Sequence, residues 1–244
     1  MDFFINTFNI ILYQPLFNAL ILFYKYIPGH DFGIAVIVLT ILIKFLFYPL
    51  GIKTIKSQKA LSELQPKIKE IQEKYKNDKE KQVKETMDLY KKEKTNPFSG
   101  CFPLLIQFPV LIALFWVFKT FEGGLSPEEL KSLYSFVSCS EINTNFLGII
   151  DLVKPSMLLA VLAGIGQFFQ VKMTSMKTVL NKDKSSQFSN MMQKQMQYLL
   201  PGFTIFILFN LPAAIGLYWL VTTLFTILQQ YFILKKSDIS DAKK

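Results

Sequence analysis

Residues 32–50, FGIAVIVLTILIKFLFYPL, constrain the fold more than any other stretch of the chain. A helix that crosses a bilayer needs roughly 20 mostly apolar residues, and this segment nearly supplies them with a single charge inside, Lys44. At 1.5 Å per residue, Lys44 lies about 3 to 5 Å past the middle of the segment. An ammonium at that depth costs on the order of 2.5–3.5 kcal/mol on insertion scales. It must face something wetter than lipid or reach out of the membrane. Leu50 is about 9 Å further along the axis, a long reach for a lysine stem. Thr40, Lys44 and Tyr48 are spaced four apart and share one helical face. The reading this favours is a polar stripe lining a cavity; the alternative is a lysine snorkelling to the interface.

The rest of the composition agrees with a membrane protein. The chain has 244 residues, 51% of them hydrophobic, which suits several spans better than a soluble domain. Its formal charge is +9, and every basic residue is lysine. Cys101 and Cys139 are too few for a disulfide framework and are expected on opposite membrane faces. The lone His30 sits in a PGHD turn and reads as a solvated side chain. No metal-ligand spacing and no nucleotide-binding glycine pattern appears, so no cofactor is expected.

Residues 1–31 hold an apolar, aromatic segment interrupted by Asn6, Asn9, Gln14, Pro15 and Asn18. It lacks the basic start and small-residue cleavage site of a secretory signal. It reads as an interfacial helix or as an extra span, with the central polar residues favouring the interface. A first span is expected over 32–52. Residues 53–98 then carry 13 lysines and 8 acids. Within them Leu61, Leu64, Ile68, Ile71 and Tyr75, and after a turn at Asn77-Asp78 also Val83, Met87 and Tyr90, recur at the 3,4 spacing of a coiled-coil seam. This predicts a helical hairpin outside the membrane, with Pro66 kinking its first helix or marking its start. It reads as a solvated linker or as a docking surface for cytoplasmic proteins.

A second span is expected over 99–121, with Pro103, Pro109 and Gln107 inside it, and a loop over 122–153. A third span is expected over 154–174, where Ala160, Ala163, Gly164 and Gly166 permit close helix packing. Residues 175–196 read as a mobile loop. Two spans in a tight hairpin, 197–211 and 213–234, are separated at Asn210-Leu211-Pro212, and 235–244 is a short tail. The 53–98 hairpin, the 172–196 region and the tail are lysine-rich. The 121–153 loop has five acids against Lys131. The excess of lysine assigns the first group to the cytoplasm and the acidic loop to the outside. The C-terminus is then cytoplasmic.

Three of these spans carry polar faces: Thr40/Lys44/Tyr48, Ala163/Gln167/Gln170/Thr174 and Trp219/Thr223/Thr226/Gln230. If they converge they form a hydrated groove with one positive charge. Any single Gln or Thr is equally accounted for by interhelical hydrogen bonds of roughly 0.6 to 2 kcal/mol. Lys44 tips the set toward a groove, because no Asp or Glu lies within these apolar segments to pair with it.

Taken in order, LTILIKFLFYPL, ELQPKIKEIQEKYKND, NPFSGCFPLLIQFPVLIALF, FLGIIDL and NLPAAIGLYWLVTTLFTILQQYFI resemble the YidC/Oxa/Alb family of membrane protein insertases. The resemblance runs from about residue 7 to 233. It implies an all-α integral membrane protein with five core transmembrane helices around a polar groove, a cytoplasmic helical hairpin and an N-terminal interfacial helix. It implies the short form, without a large outer domain or signal-anchor. The family's groove charge is usually arginine; Lys44 stands at that position. Lysine keeps the attraction but loses the planar five-donor fork. Thr40 and Trp219 match groove positions, Thr223 lies on the Trp219 face, and either Gln167 or Gln170 matches the third-span glutamine.

The activity implied is insertion of client proteins. Short polar, often acidic, segments would pass the groove, apolar segments would leave into lipid, and folding and assembly would be aided. The implied partners are nascent membrane proteins and membrane lipids. The ribosome, the signal recognition pathway and a translocation channel are candidates at the hairpin; nucleic-acid sequence recognition is not expected. The implied location is a bacterial inner membrane. A transporter or channel subunit, or an assembly factor without a working groove, are the alternatives. An enzyme is not expected, since no nucleophile–base pair is visible and no span carries a carboxylate or histidine.

Overall fold

The structure, a computed structural model, describes residues 2–96, 102–137, 142–175 and 187–241. The described backbone is mostly helical. Helix α1 (Asp2–Phe8) runs through a π-helical turn (Asn9–Tyr13) into α2 (Gln14–Tyr26). Helices α3 (Phe32–Leu46), α4 (Tyr48–Lys74), α5 (Lys79–Lys92), α6 (Phe102–Thr120) and the short α7 (Pro127–Leu130) follow. An antiparallel hairpin of β1 (Asn145–Phe146) and β2 (Ile150–Asp151) precedes α8 (Met157–Ser175), α9 (Gln187–Leu208) and α10 (Ala213–Asp241). Cys101 and Cys139, and the expectation that they lie on opposite faces, fall outside the described residues.

The chain separates into two compact units. The first comprises 1–47, 104–166 and 203–225; the second comprises 48–103, 167–202 and 226–244.

The first unit is centred on aromatic rings. Phe32, at the start of α3, meets Phe121 at 5.0 Å and Phe118 at 6.4 Å between centroids, both at the end of α6. Phe17 and Tyr24 of α2 close the cluster against Phe121 and Phe32. The start of α3 thus meets the end of α6. Helices α8 and α10 run in the same direction. Leu159 lies against Gly216, and seven residues further along both helices Gly166 lies against Thr223. Glycine at these contacts lets the backbones approach closely.

Polar groups of α2 hold the loop after α6. The buried Asn18 amide donates to Ser132 O and accepts the Tyr134 N–H at 2.7 Å. Gln14 donates to the same Ser132 carbonyl, and Tyr24 OH accepts the Asn143 N–H. Gln14 and Asn18 thus clamp a loop more than 100 residues away. Within that loop α7 starts with a capping box, in which Ser126 N–H donates to Glu129 Oε2 and Glu129 N–H donates to Ser126 Oγ.

The β hairpin sits where apolar helices begin. Asp31 caps α3 by accepting the Ile34 N–H with one oxygen, and with the other it accepts the Leu147 N–H at 2.6 Å. Phe146 packs directly on Gly33. The carbonyls of Lys154 and Leu152 accept the N–H groups of Ala213 and Ala214, which open α10.

The helices are apolar on the outside as well. On α6, Leu105, Phe108, Ile112 and Trp116 are exposed at helical spacing, while Val110, Ala113, Leu114 and Val117 are buried. On α8, Leu158, Leu162 and Ile165 are exposed in the same manner. Water does not tolerate such continuous stripes, but lipid does. Among the described residues two stretches are long and apolar enough to cross a membrane, Phe3–Tyr26 and Ala213–Lys235, and α3 with α4 makes a third if counted as one broken span. The N-terminal stretch meets this test along its length, and its α2 part is packed within the first unit through Phe17, Leu20, Ile21 and Tyr24.

Several boundaries differ from the sequence-based expectation. The span expected over 32–52 is interrupted at Phe47, whose φ of −90° and ψ of 8° leave the helix. Helix α4 restarts at Tyr48, with Pro49 in the first turn, where a missing N–H costs nothing. Pro66 lies inside α4 and does not mark its start. Residues 187–196, expected as loop, open α9; Met, Gln and Lys there are good helix formers. Helix α10 likewise continues past 234 to Asp241. Residues 176–186 lie outside the described residues.

In the second unit α4 and α5 pack as a helical hairpin. Lys67 Nζ and Glu93 Oε1 are 2.6 Å apart, and Gln82 donates to Gln72 O. The seam differs on α5. Gln82, Thr86, Leu89 and Tyr90 are half-buried, and Val83 and Met87 are exposed. The hydrogen bond of Gln82 and the ion pair of Glu93 set this rotation, against the hydrophobic spacing.

Two predictions follow from the hairpin between β1 and β2. A Cβ at Gly33 would stand 2.1 Å from Phe146 Cδ2 and 2.7 Å from its Cβ, too close to relieve by turning the ring. Gly33→Ala should cost about 1–3 kcal/mol by overpacking, read as a lower Tm in detergent, and adding Phe146→Ala should restore part of the loss. A Gly33→Ala protein as stable as the parent would show that the hairpin does not pack there. The second concerns Asp151. Partial burial alone would raise its carboxyl, but hydrogen bonds from Lys154, Thr144 and the Val153 N–H, with the Lys154 charge, outweigh it and hold the group below its ordinary value. A depressed carboxylate stabilises the folded form above its unfolded pKa, near 3.9, and that stabilisation is lost as pH falls through the folded value. Proteolytic protection of residues 142–154 should therefore decline on acidification below about pH 4. In Asp151→Asn the decline should be shallower and the protection at neutral pH lower.

Candidate functional site

The residues singled out by the sequence fall into two groups. Thr40, Lys44, Trp219 and Thr223 belong to the first unit, and Gln167 and Gln170 belong to the second.

In the first unit, α3 presents Thr40 and Lys44 one turn apart. Thr40 is fully buried, and its hydroxyl donates to Val36 O at 2.6 Å, so its hydrogen-bonding capacity is directed to its own helix. Lys44 is half-buried in the last turn of α3, where a cation complements the partial negative charge of the helix end. Its Nζ stands 5.7 Å from the ring centroid of Phe225 on α10. The same ring meets Phe45 edge-on at 5.4 Å. Phe225 thus receives a cation and an aromatic edge from consecutive residues of α3. A lysine above a ring face gains about 0.5 kcal/mol when exposed and about 2 when desolvated.

On α10, Trp219 is half-buried and packs on the aliphatic core. Thr223, one turn further on, is buried with its methyl 3.3 Å from where a Cβ of Gly166 would stand. It occupies a helix–helix contact. The polar residue of α6, Gln107, is also paired: its amide donates to the hydroxyl of the buried Tyr218.

In the second unit Gln167 is buried, and its Oε1 has no hydrogen-bond partner among the described residues. A buried amide oxygen in this state calls for water or a ligand atom. Gln170 is half-buried three residues along. The side chain of Thr174 lies outside the described residues. The buried Gln229 amide donates to Tyr48 O, and its atoms stand 2.8 Å from where a Cβ of Gly51 would be. This ties α10 to the start of α4, and a side chain at 51 would have to displace the Gln229 amide.

Sequence reasoning missed Phe225 and Gln229. Both lie near the stripe that it traced along the last helix. Phe225 was passed over because phenylalanine is everywhere in these segments, and only the position of Lys44 distinguishes it. Among the described residues no cluster of His, Cys, Asp and Glu could hold a metal ion.

Comparison with known proteins gives a consistent result. The family model described as 60Kd inner membrane protein matches residues 22–241. Proteins named membrane protein insertase YidC are similar over most of the chain. The one from Geobacter metallireducens is 37% identical over 95% of this chain and 38% of its own length. The one from Fusobacterium nucleatum is 35% identical over 84% of this chain and 87% of its own. The one from Clostridium tetani is 35% identical over 89% and 88%. The chain spans about 40% of the length of the first of these and of others like it, and nearly all of the shorter ones. With a family model matched across 22–241 and two relatives covered almost end to end, the chain belongs to the 60Kd inner membrane protein family, that of the YidC membrane protein insertases.

Proposed function

We propose that the chain is a membrane protein insertase of a bacterial inner membrane. It moves short polar segments of nascent membrane proteins through a hydrated, positively charged groove and releases their apolar segments into lipid. The observation that carries this reading is Lys44, a half-buried cation on an otherwise apolar helix, held over the ring of Phe225 on a second apolar helix. It stands in a chain whose relatives are named insertases.

The reading takes five core spans, with the acidic loop outside and the lysine-rich hairpin and C-terminus in the cytoplasm. The shared direction of α8 and α10 supports that alternation. Lys44 attracts an acidic client segment. Thr40, Trp219 and Thr223 shape its surroundings, and Gln167 and Gln170 act as client- or water-facing amides. The orphan Oε1 of Gln167 supports the presence of water. Bare peptide groups cost roughly several kcal/mol each in hydrocarbon, so water and amides along the path lower the barrier without bond chemistry. The α4–α5 hairpin receives the client, with the ribosome, the signal recognition pathway or a translocation channel as its partners.

The test is insertion of a single-span client with an acidic outer tail into liposomes holding the purified protein, scored by protease protection of the tail. Lys44→Ala should lower insertion about tenfold, the loss of one charge-assisted contact, while Lys44→Arg retains it and a neutral tail is indifferent to both. Equal insertion by all three proteins would remove Lys44 from the mechanism. Insertion no better than in empty liposomes would overturn the insertase reading. Phe225→Leu keeps the volume but removes the ring that positions Lys44. Losing roughly 0.5–1 kcal/mol of cation–π attraction should change insertion of the acidic client about two- to fivefold, with little change in Tm.

A further inference from the structure

We propose that the β1–β2 hairpin is a lipid-contacting element, whose tip residues Leu147 and Ile149 seat among the phospholipids at the headgroup–acyl boundary. The inference goes beyond insertion and rests on α3, α8 and α10 being membrane helices.

Three features of the hairpin fix its height. Asp31, which caps α3, also binds the Leu147 N–H, and Phe146 packs on Gly33 in the first turn of α3. Residues 152 and 154 supply the carbonyls that receive the first N–H groups of α10. Helix α8 begins at Met157, a few residues after β2, and its first residues, Met157 and Leu158, are exposed. The hairpin therefore lies where three apolar helices all start, which is the edge of the hydrocarbon layer.

At that edge the hairpin points apolar side chains outward. Ile149 is 82% exposed and Leu147 is 61% exposed. The turn makes this choice costly. Leu147 has a φ of 52° and Gly148 a φ of 69°, a pair for which Asn-Gly is the unstrained and water-compatible solution. A leucine accepts both backbone strain and exposure there. Isolated exposed leucines need no explanation, but a strained one beside an isoleucine, pinned by a carboxylate at the membrane edge, fits an apolar medium. The hydrophilic flank fits the same placement. Lys154 is exposed below the tip and bonded to Asp151 at 3.0 Å, within reach of lipid phosphates. A loose interfacial loop would not need the Asp31 tether; a wedge held at fixed depth does.

The experiment uses the full chain with Cys101→Ser and Cys139→Ser, reconstituted into phosphatidylcholine–phosphatidylglycerol vesicles. Ile149→Cys is labelled with bimane, and Leu42→Cys, exposed ten residues into α3, is labelled in a parallel sample. The expected result at 149 is blue-shifted emission, quenching by lipid spin-labelled near the headgroup that exceeds quenching by deep-labelled lipid, and loss of quenching by aqueous iodide. Water-like emission with strong iodide quenching would overturn the proposal. Blue-shifted emission resisting both quenchers would also overturn it, by assigning the tip to a protein contact. The label at 42 separates the two levels. If it is quenched by deep-labelled lipid while 149 lies in water, the hairpin proposal fails alone. If neither meets lipid, the membrane reading fails with it.

Discussion

Everything in the first unit depends on satisfying the backbone N–H groups at the starts of apolar helices. The first N–H groups of a helix have no partner within it, and in lipid no water replaces one. The chain meets this need by bringing one loop to both places. Asp31 receives the Ile34 N–H of α3 and at the same time holds Leu147. The carbonyls of Leu152 and Lys154 receive the N–H groups of Ala213 and Ala214 on α10. The segment that caps one helix directly is thus anchored by the cap of the other. Asn18 and Gln14 then secure the preceding part of the same loop to α2. The result is one end of the first unit held together by polar contacts between a loop and the starts of its helices.

This arrangement explains which parts of the fold were legible in the sequence. Apolar segments are a property of single stretches, so the cores of α3, α6, α8 and α10 could be located by composition alone. The break at Asn210-Leu211-Pro212 and the lysine-rich hairpin were equally local. The purpose of Asn18 was not, because its partners are Ser132 and Tyr134, more than 100 residues away. Nothing near Asn18 distinguishes a clamp from a surface residue. Gly33 was unreadable for the same reason: it looks like one more small residue in an apolar run, and only the ring of Phe146 makes it obligatory. The α5 seam shows the reverse error. Val83 and Met87 have the right spacing, yet a hydrogen bond and an ion pair turn that side of the helix outward.

The candidate site was legible to a similar extent. Lys44 stands out because a charge in an apolar helix is expensive wherever it occurs. The polar stripes were less reliable guides to what each side chain does. A Thr every four residues marks a face, but Thr40 turns its hydroxyl to Val36 O and Thr223 fits its methyl to Gly166. The contacts of these threonines are thus a bond within one helix and a methyl packed between two. The amides are different, since a buried Gln has more hydrogen-bonding groups than its own helix can satisfy. That is why the oxygen of Gln167 is left over where the hydroxyl of Thr40 is not.

The pairing of Lys44 with Phe225 bears on how a groove cation could act repeatedly. Breaking a buried ion pair by removing one partner costs roughly 3–5 kcal/mol. A client carboxylate displacing such a partner would have to overcome much of that at every cycle. The face of an aromatic ring contributes about 0.5–2 kcal/mol to holding a lysine, which helps to orient the ammonium. Phe45 packs against the same ring from the adjacent position on α3. Under the proposed function, Phe225 is a resting place for the charge between clients. Lysine suits that use better than arginine, since its flexible stem and compact ammonium can turn from the ring to a carboxylate by rotating a few bonds.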